Sequence, residues 1–172
     1  MITLIRAQVY KYKSIEDSTP VEIDDSVTVL VGKNESGKTA FLEALHKAFP
    51  LKDQKFKFNP VFDYPRKDYV RYRQQHDVKE FARVVELTFR IDEDLANTIN
   101  SDVFHGAAVV APGKTFTRAT SYGNTHTVGF GIDHAAAIAA LRKPLEGIAE
   151  TQEVFDGAKT LATVLVYCPT NN

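Results

Sequence analysis

The sequence predicts a mixed α/β fold, and three observations carry that reading. An uncharged apolar run, SVTVLV at 26–31, has the pattern of a strand covered on both faces. A glycine-bracketed loop, GKNESGKT at 32–39, follows it at once and opens an amphipathic helix, TAFLEALHKAF at 39–49. Further on, FARVVELTFRID at 81–92 alternates Val85, Leu87, Phe89 and Ile91 with Glu86, Thr88 and Arg90, as a half-buried antiparallel strand does.

The elements follow in chain order. Residues 2–10, ITLIRAQVY, read as a first strand and VEIDD at 21–25 as a second, with SIEDSTP as the polar turn of a hairpin. Then comes the buried strand at 26–31. The helix after it places Phe41, Leu42, Ala44, Leu45, Ala48 and Phe49 on one side and Glu43, His46 and Lys47 on the other, and Pro50 ends it. Residues 51–79 show no clean period and read as an ordered loop with a short helix at most. After the strand at 81–92, Asp92 or Asp94 caps a short helix to about Asn100. AAVV, the turn APGK, TFTRATSY, the turn Gly123-Asn124 and THTVGFGI read together as a small antiparallel meander. Asp133 caps HAAAIAALRK, stopped by Pro144; a weaker helix follows to about Ala158, and LATVLVYC at 161–168 reads as one more buried strand. The expected division is a core lobe over 1–92 and a meander with helices over 93–172.

At 172 residues, 44% apolar and 25% charged, the chain has the composition of a globular domain that buries roughly two-thirds of its unfolded surface. No apolar run approaches the roughly 20 residues a membrane helix needs, and the N-terminus lacks the features of a secretory signal, so no membrane partner and a cytoplasmic location are expected. Cys168 is the only cysteine and reads as a small core residue, which leaves neither a disulfide nor a cysteine zinc site. The five histidines show no metal-binding spacing. The net charge of −1 hides an uneven distribution: residues 51–83 carry 9 basic and 5 acidic groups, while 84–172 carry 6 and 10.

Gly32-Lys33-Asn34-Glu35-Ser36-Gly37-Lys38-Thr39 fits G-x-x-x-x-G-K-[ST] at every position, between a strand and a helix as the mechanism requires. Gly32 and Gly37 allow backbone conformations that a Cβ forbids, so successive N–H groups turn inward into a nest around a β-phosphate. The helix start adds its dipole. Lys38 is suited to the β- and γ-phosphates and the Thr39 hydroxyl to Mg²⁺, so ATP and magnesium are the expected ligands.

GKNESGKT, after an N-terminal strand, the Tyr12-Lys13-Ser14-Ile15 element and a second strand, resembles the heads of the ABC-type chromosome-maintenance ATPases: SMC and RecF proteins and, most closely, the OLD (overcoming lysogenization defect) family of ATP-dependent endonucleases. The resemblance covers about residues 1–130, including the basic loop with Asp63-Tyr64-Pro65-Arg66 and the strand at 84–91. It implies the N-terminal lobe of a P-loop NTPase head of the AAA/ABC type, with a mixed sheet and an antiparallel β subdomain. It also implies DNA as a partner, and a homodimer or a second ATPase chain in the full assembly. A basic residue after the first strand lies near the nucleotide in such heads, and Lys13 is the matching position here.

Walker B, which needs an apolar run ending in Asp-Glu, is absent from the sequence. LTFRIDED is broken by Thr88 and Arg90, and LATVLVYC ends in Pro-Thr-Asn-Asn. A signature motif and the carboxylate cluster of a Toprim nuclease are missing too, so the sequence assigns no catalytic residue. The segment KDQKFKFNPVFDYPRKDYVRYRQ interleaves Phe56, Phe58, Phe62, Tyr64, Tyr69 and Tyr72 with cations. It suits a nucleic-acid groove or a strap whose rings pack on the core while the charges stay wet; the strap is favoured, with Arg66 or Lys67 near the nucleotide. Two further readings stand beside the ATPase head. One is a self-contained small P-loop enzyme such as a nucleotide kinase; a GTPase would need an N/T-K-x-D base reader that is not there. The other is a non-catalytic interaction module that uses ATP to set its shape.

Overall fold

The computed structural model describes residues 2–34, 36–50, 56–75 and 81–143. The strand expected at 161–168 with Cys168, the weak helix to 158, the stop at Pro144, Glu35, His76 and both ends of the basic segment lie outside the described residues.

Two compact units form, and they do not follow the chain's linear order: one joins Thr3–Arg90 to Thr115–Phe130, the other joins Ile91–Lys114 to the chain from Gly131. The first is organised by one sheet in the order β2-β1-β4-β5-β6, with β3 also paired to β1. Its strands are β1 (Ile2–Tyr12), β2 (Ile15–Asp17), β3 (Val21–Glu22), β4 (Arg83–Ile91), β5 (Thr115–Ser121) and β6 (His126–Phe130). The hairpin forms, but not as expected. β1 runs to Tyr12, and the supposed turn SIEDSTP contributes β2, with Tyr10 opposite Asp17 and Tyr12 opposite Ile15. Ser18 interrupts the return strand, its hydroxyl accepting from the Val9 N–H, before β3 sets Arg6 opposite Glu22. β4 alternates as read, burying Val85, Leu87, Phe89 and Ile91. A register shift between Arg83 and Val85 turns Val84 into the core as well.

The expected buried strand at 26–31 is not a strand in this structure. Val27, Val29 and Val31 are 70%, 71% and 86% exposed, and among the described residues no strand pairs with them. A strand with two apolar faces gains its stability from neighbours on both sides, and the described residues supply only Leu30's packing against the core. The Asp24 carboxylate, which accepts from the Ser26 and Val27 N–H groups, fixes the entry to this segment.

Helix α1 (Lys38–Ala48) packs on the sheet through Ala40, Phe41, Ala44 and Ala48. The wider apolar stripe expected for it narrows: Leu42 is 57% and Phe49 60% exposed. Lys47, expected on the polar side, turns inward instead. Its ammonium bonds both carboxylate oxygens of Asp63 at 2.7 and 2.9 Å, and Asp63 is only 3% exposed.

The segment after α1 is more regular than its sequence period suggests. Asn59 caps α2 (Pro60–Asp63), with Pro60 at the first helical position, and α3 (Arg66–Gln75) follows. On α3 only Tyr69 and Tyr72, one turn apart, turn toward the core, and every other position is polar or exposed, which leaves the sequence without a clean period there. The strap reading fits Phe58, Tyr64 and Tyr72, which are buried with Tyr12 and Tyr122; Tyr64 stacks on Tyr72 at 4.3 Å and Phe58 meets Tyr12 edge-on at 5.9 Å. Phe62, by contrast, is exposed.

In the second unit, Asp92 caps α4 (Glu93–Asp102) by accepting from the Leu95 N–H at 3.0 Å, and Asp133 caps α5 (His134–Arg142) through the Ala136 N–H. AAVV, expected as the meander's first strand, is held as an irregular segment. The Asn100 side chain accepts from the Val109 and Val110 N–H groups and donates to the Val110 carbonyl, and both valines are buried. An amide that satisfies three backbone groups at once replaces a ladder. Among the described residues no helix is long and apolar enough to cross a membrane.

The Lys47–Asp63 pair yields the first prediction. Asp63→Ala leaves an ammonium without its counter-charge in a largely dry site and should cost about 3–5 kcal/mol in urea unfolding. A loss under about 1 kcal/mol would place the pair among solvated surface bridges.

Candidate nucleotide-binding site

The loop ahead of α1 is shaped by its glycines. Gly37 occupies the N-cap at φ 92°, ψ 3°, a left-handed conformation that a side chain rarely takes, and no side chain caps the helix. A Cβ on Gly37 would stand 2.9 Å from the Ile15 Cγ1, and one on Gly32 would stand 2.9 Å from the Ser36 Oγ. Gly37 is therefore closed to larger residues by backbone and contact, whereas at Gly32 the neighbour is a hydroxyl that can rotate away. The uncapped N–H groups of α1 face the loop and, with the helix dipole, form an anion site.

Lys38 folds back over the loop it follows. Its ammonium donates to the carbonyls of Gly32 at 2.8 Å and Lys33 at 2.7 Å and approaches the Ser36 hydroxyl at 3.3 Å. These neutral acceptors satisfy the cation without neutralising its charge, so it stays available to a phosphate. A cavity of about 650 Å³ opens beside the loop, lined by Lys13, Ser14, Asn34, Gly37, Lys38, Thr39, Ala40 and Glu43. A second of about 500 Å³, lined in part by Ser14, Leu30, Ser36 and Lys38, adjoins the same loop.

Lys13 lines the cavity with the loop. It sits at φ 50° in the tight turn between β1 and β2; its N–H donates to the Asp63 carbonyl at 2.6 Å and its ammonium pairs with Glu43 at 2.5 Å. Arg66 does not join it: it opens α3, is exposed, and lines neither cavity. Lys67 is paired with Glu16, which holds the Glu16 carboxyl below its ordinary range. Sequence reasoning missed Ser14 and Glu43 as wall residues. Ser14 had a local signal, the turn next to Lys13, whereas Glu43 read as a solvated helix position. Among the described residues no group of three or more His, Cys, Asp or Glu side chains is arranged to hold a metal ion. Thr39, at the cavity wall, offers one hydroxyl oxygen.

A glycine-shaped loop, an uncapped helix start and an inward lysine beside a cavity of this size define the nucleotide-binding module of a P-loop ATPase. The chain belongs to the AAA ATPase domain family, whose sequence profile matches residues 6–107. No curated protein matches it. Among solved structures, an SMC ATPase chain from work on the structural biochemistry of ATP-driven dimerization and DNA-stimulated activation aligns at 12% identity over 90% of this chain and 97% of its own, with a TM-score of 0.35. A likeness at that score does not establish a shared fold.

The loop geometry predicts the outcome of Gly37→Ala. The added methyl meets Ile15 in a backbone region that costs on the order of 1–3 kcal/mol for a non-glycine residue. The variant should keep its far-ultraviolet circular dichroism and lose the thermal stabilisation given by Mg-ATP; an undiminished shift would show that the loop tolerates a Cβ.

Proposed function

We propose that this chain is the ATP-binding N-terminal module of a DNA-directed ATPase or ATP-dependent endonuclease of the OLD, RecF and SMC type. It acts in the cytoplasm, and its hydrolytic groups come from a further segment or a partner chain. The observation that carries the nucleotide part is the Gly32–Thr39 loop with Lys38 poised over it at the start of α1. Family membership supports the ATPase class. The finer assignment to DNA work rests on the resemblance of GKNESGKT and the elements around it.

In this reading the loop N–H groups and Lys38 hold the β- and γ-phosphates, and the Thr39 hydroxyl is a ligand of Mg²⁺, which neutralises phosphate charge when bound. Lys13 leaves Glu43 to meet the nucleotide; an exposed pair of this kind is worth about 1 kcal/mol or less, so a phosphate displaces the carboxylate easily. Among the described residues Glu43 is the one carboxylate on the wall of the larger cavity, and it is tied to Lys13. Asp92, the sequence's nearest approach to a Walker B acid, spends its carboxylate on capping α4. In this reading these residues supply ground-state phosphate contacts and the groups that orient an attacking water come from elsewhere, whereas a self-contained P-loop enzyme would carry both.

Mg-ATP at about 100 times its dissociation constant should add about 2.7 kcal/mol, or roughly 5–10 °C of melting temperature, and Lys38→Ala should remove most of it. An identical shift in wild type and variant would reject the loop as the site. Phosphate release by the purified chain should lie far below about 1 s⁻¹. Turnover near that rate that vanishes in Lys38→Ala would favour the self-contained enzyme.

A further inference from the structure

A second recess in the sheet unit lies where the end of α1, the segment Phe56–Phe58 and the β5–β6 hairpin converge. Its volume is about 320 Å³, and Lys47, Lys57, Arg118 and His126 contribute to its wall together with Phe56, Thr120 and Asn124. Among the described residues no carboxylate lines it. Lys47 is already neutralised by Asp63, but among the described residues neither Lys57 nor Arg118 is paired with an acid.

The placement of these groups is built into the fold. Asn124, at φ 57° in the hairpin turn, accepts from the Phe58 N–H at 2.7 Å and donates to the Phe58 carbonyl at 3.1 Å, which fixes Lys57 beside β5 and β6. Thr120 stands opposite His126 and Arg118 opposite Val128 in the ladder, so Arg118, Thr120 and His126 share one face of the sheet. Thr120 is buried and its hydroxyl lies 3.1 Å from the His126 Nδ1.

Arg118 lacks adequate acceptors. Its guanidinium lies 3.2 and 3.4 Å from the two ring nitrogens of His126, yet a neutral imidazole has a single lone pair to offer, and Thr120 competes for it. Burial, and then the Arg118 charge, hold His126 below its ordinary value. Two potential cations pressed together, a third held alongside and no acid among them form a donor set waiting for an oxyanion. A phosphate accepts from the fork of Arg118 and from a protonated His126 at once, which turns their repulsion into a bridge. Phe56, partly exposed at the rim, offers a ring on which a base stacks.

We propose that this recess is an anion site, separate from the Gly32–Thr39 loop, that takes a phosphate group through Arg118, Lys57 and His126. The phosphate belongs either to a nucleic-acid backbone or to a free phosphorylated molecule. The site goes beyond the nucleotide reading and is testable with the loop disabled, so the two fail separately. In a Lys38→Ala background, the His126 ring resonances are followed by NMR while inorganic pyrophosphate, and separately a short single-stranded oligonucleotide, is added. Saturable movement of the ring signals is expected, with affinity lowered on the order of tenfold or more by Arg118→Ala and in the same direction by Lys57→Ala. Arg73→Ala on exposed α3 should leave it unchanged. For an oligonucleotide, the slope of log affinity against log salt should also fall by about 0.7 for each contact removed. Response to the oligonucleotide identifies a backbone phosphate; response to pyrophosphate alone identifies a free phosphorylated ligand. Silent His126 resonances with both probes, or equal losses in Arg73→Ala and Arg118→Ala, would overturn the site.

Discussion

The sheet unit depends on one buried ion pair, Lys47 with Asp63. The Asp63 carboxylate takes the Lys47 ammonium on both oxygens and the Asn59 N–H on one, and its backbone carbonyl takes the N–H of Lys13. Three segments distant in sequence meet there: the last turn of α1, the short α2 and the turn between β1 and β2. A buried pair gives little net stability, because desolvation consumes most of its Coulomb energy. Its value lies in the single arrangement that keeps every partner satisfied. Aromatic rings close the site against water: the Lys47 ammonium stands 5.4 Å from the Tyr12 ring and 5.9 Å from that of Phe58. Burial, with the nearby Asp63 charge, pushes the Tyr12 hydroxyl well above the usual phenol range.

The consequence for the nucleotide loop is indirect but physical. Asp63 fixes the β1–β2 turn through Lys13, and that turn places Lys13 and Ser14 on the wall of the cavity beside Lys38. Ile15, the residue after the turn, sits so close to Gly37 that a Cβ there has no room. The basic segment, whose composition suits a strap or a nucleic-acid groove and for which the strap is favoured, thus acts as a brace. Its Tyr64 and Tyr72 pack inward against Tyr122, whose hydroxyl donates to the Lys11 carbonyl at 2.5 Å, and the cations of α3 remain at the surface.

Charge is sorted by the same packing. Lys11 pairs with Asp68, Lys67 with Glu16, Arg6 with Glu22 and Arg90 with Asp25, each at the surface. Lys57 and Arg118 differ in sharing one recess with His126, where no acid lies among the described lining residues. Cations gathered in one recess repel one another, and a bound anion relieves that repulsion.

The sequence by itself determined what is local. Eight consecutive residues specify the phosphate loop, because an anion nest needs only backbone conformations and one lysine within reach. The cap of α5 was legible at Asp133 and that of α4 at Asp92 or Asp94, of which the structure uses Asp92, because a capping carboxylate bonds an N–H three residues on. β4 was legible because alternation has a fixed period. The tertiary structure decided everything that depends on a distant partner. Apolar composition could not tell that Val27, Val29 and Val31 have no strand beside them among the described residues, since pairing is a property of neighbours. Helical periodicity put Lys47 outside, but a carboxylate 16 residues later drew it in. The recess at Arg118 gathers side chains from positions 57, 118 and 126, and no spacing in a linear chain encodes a convergence that only sheet register and the Asn124 bonds produce.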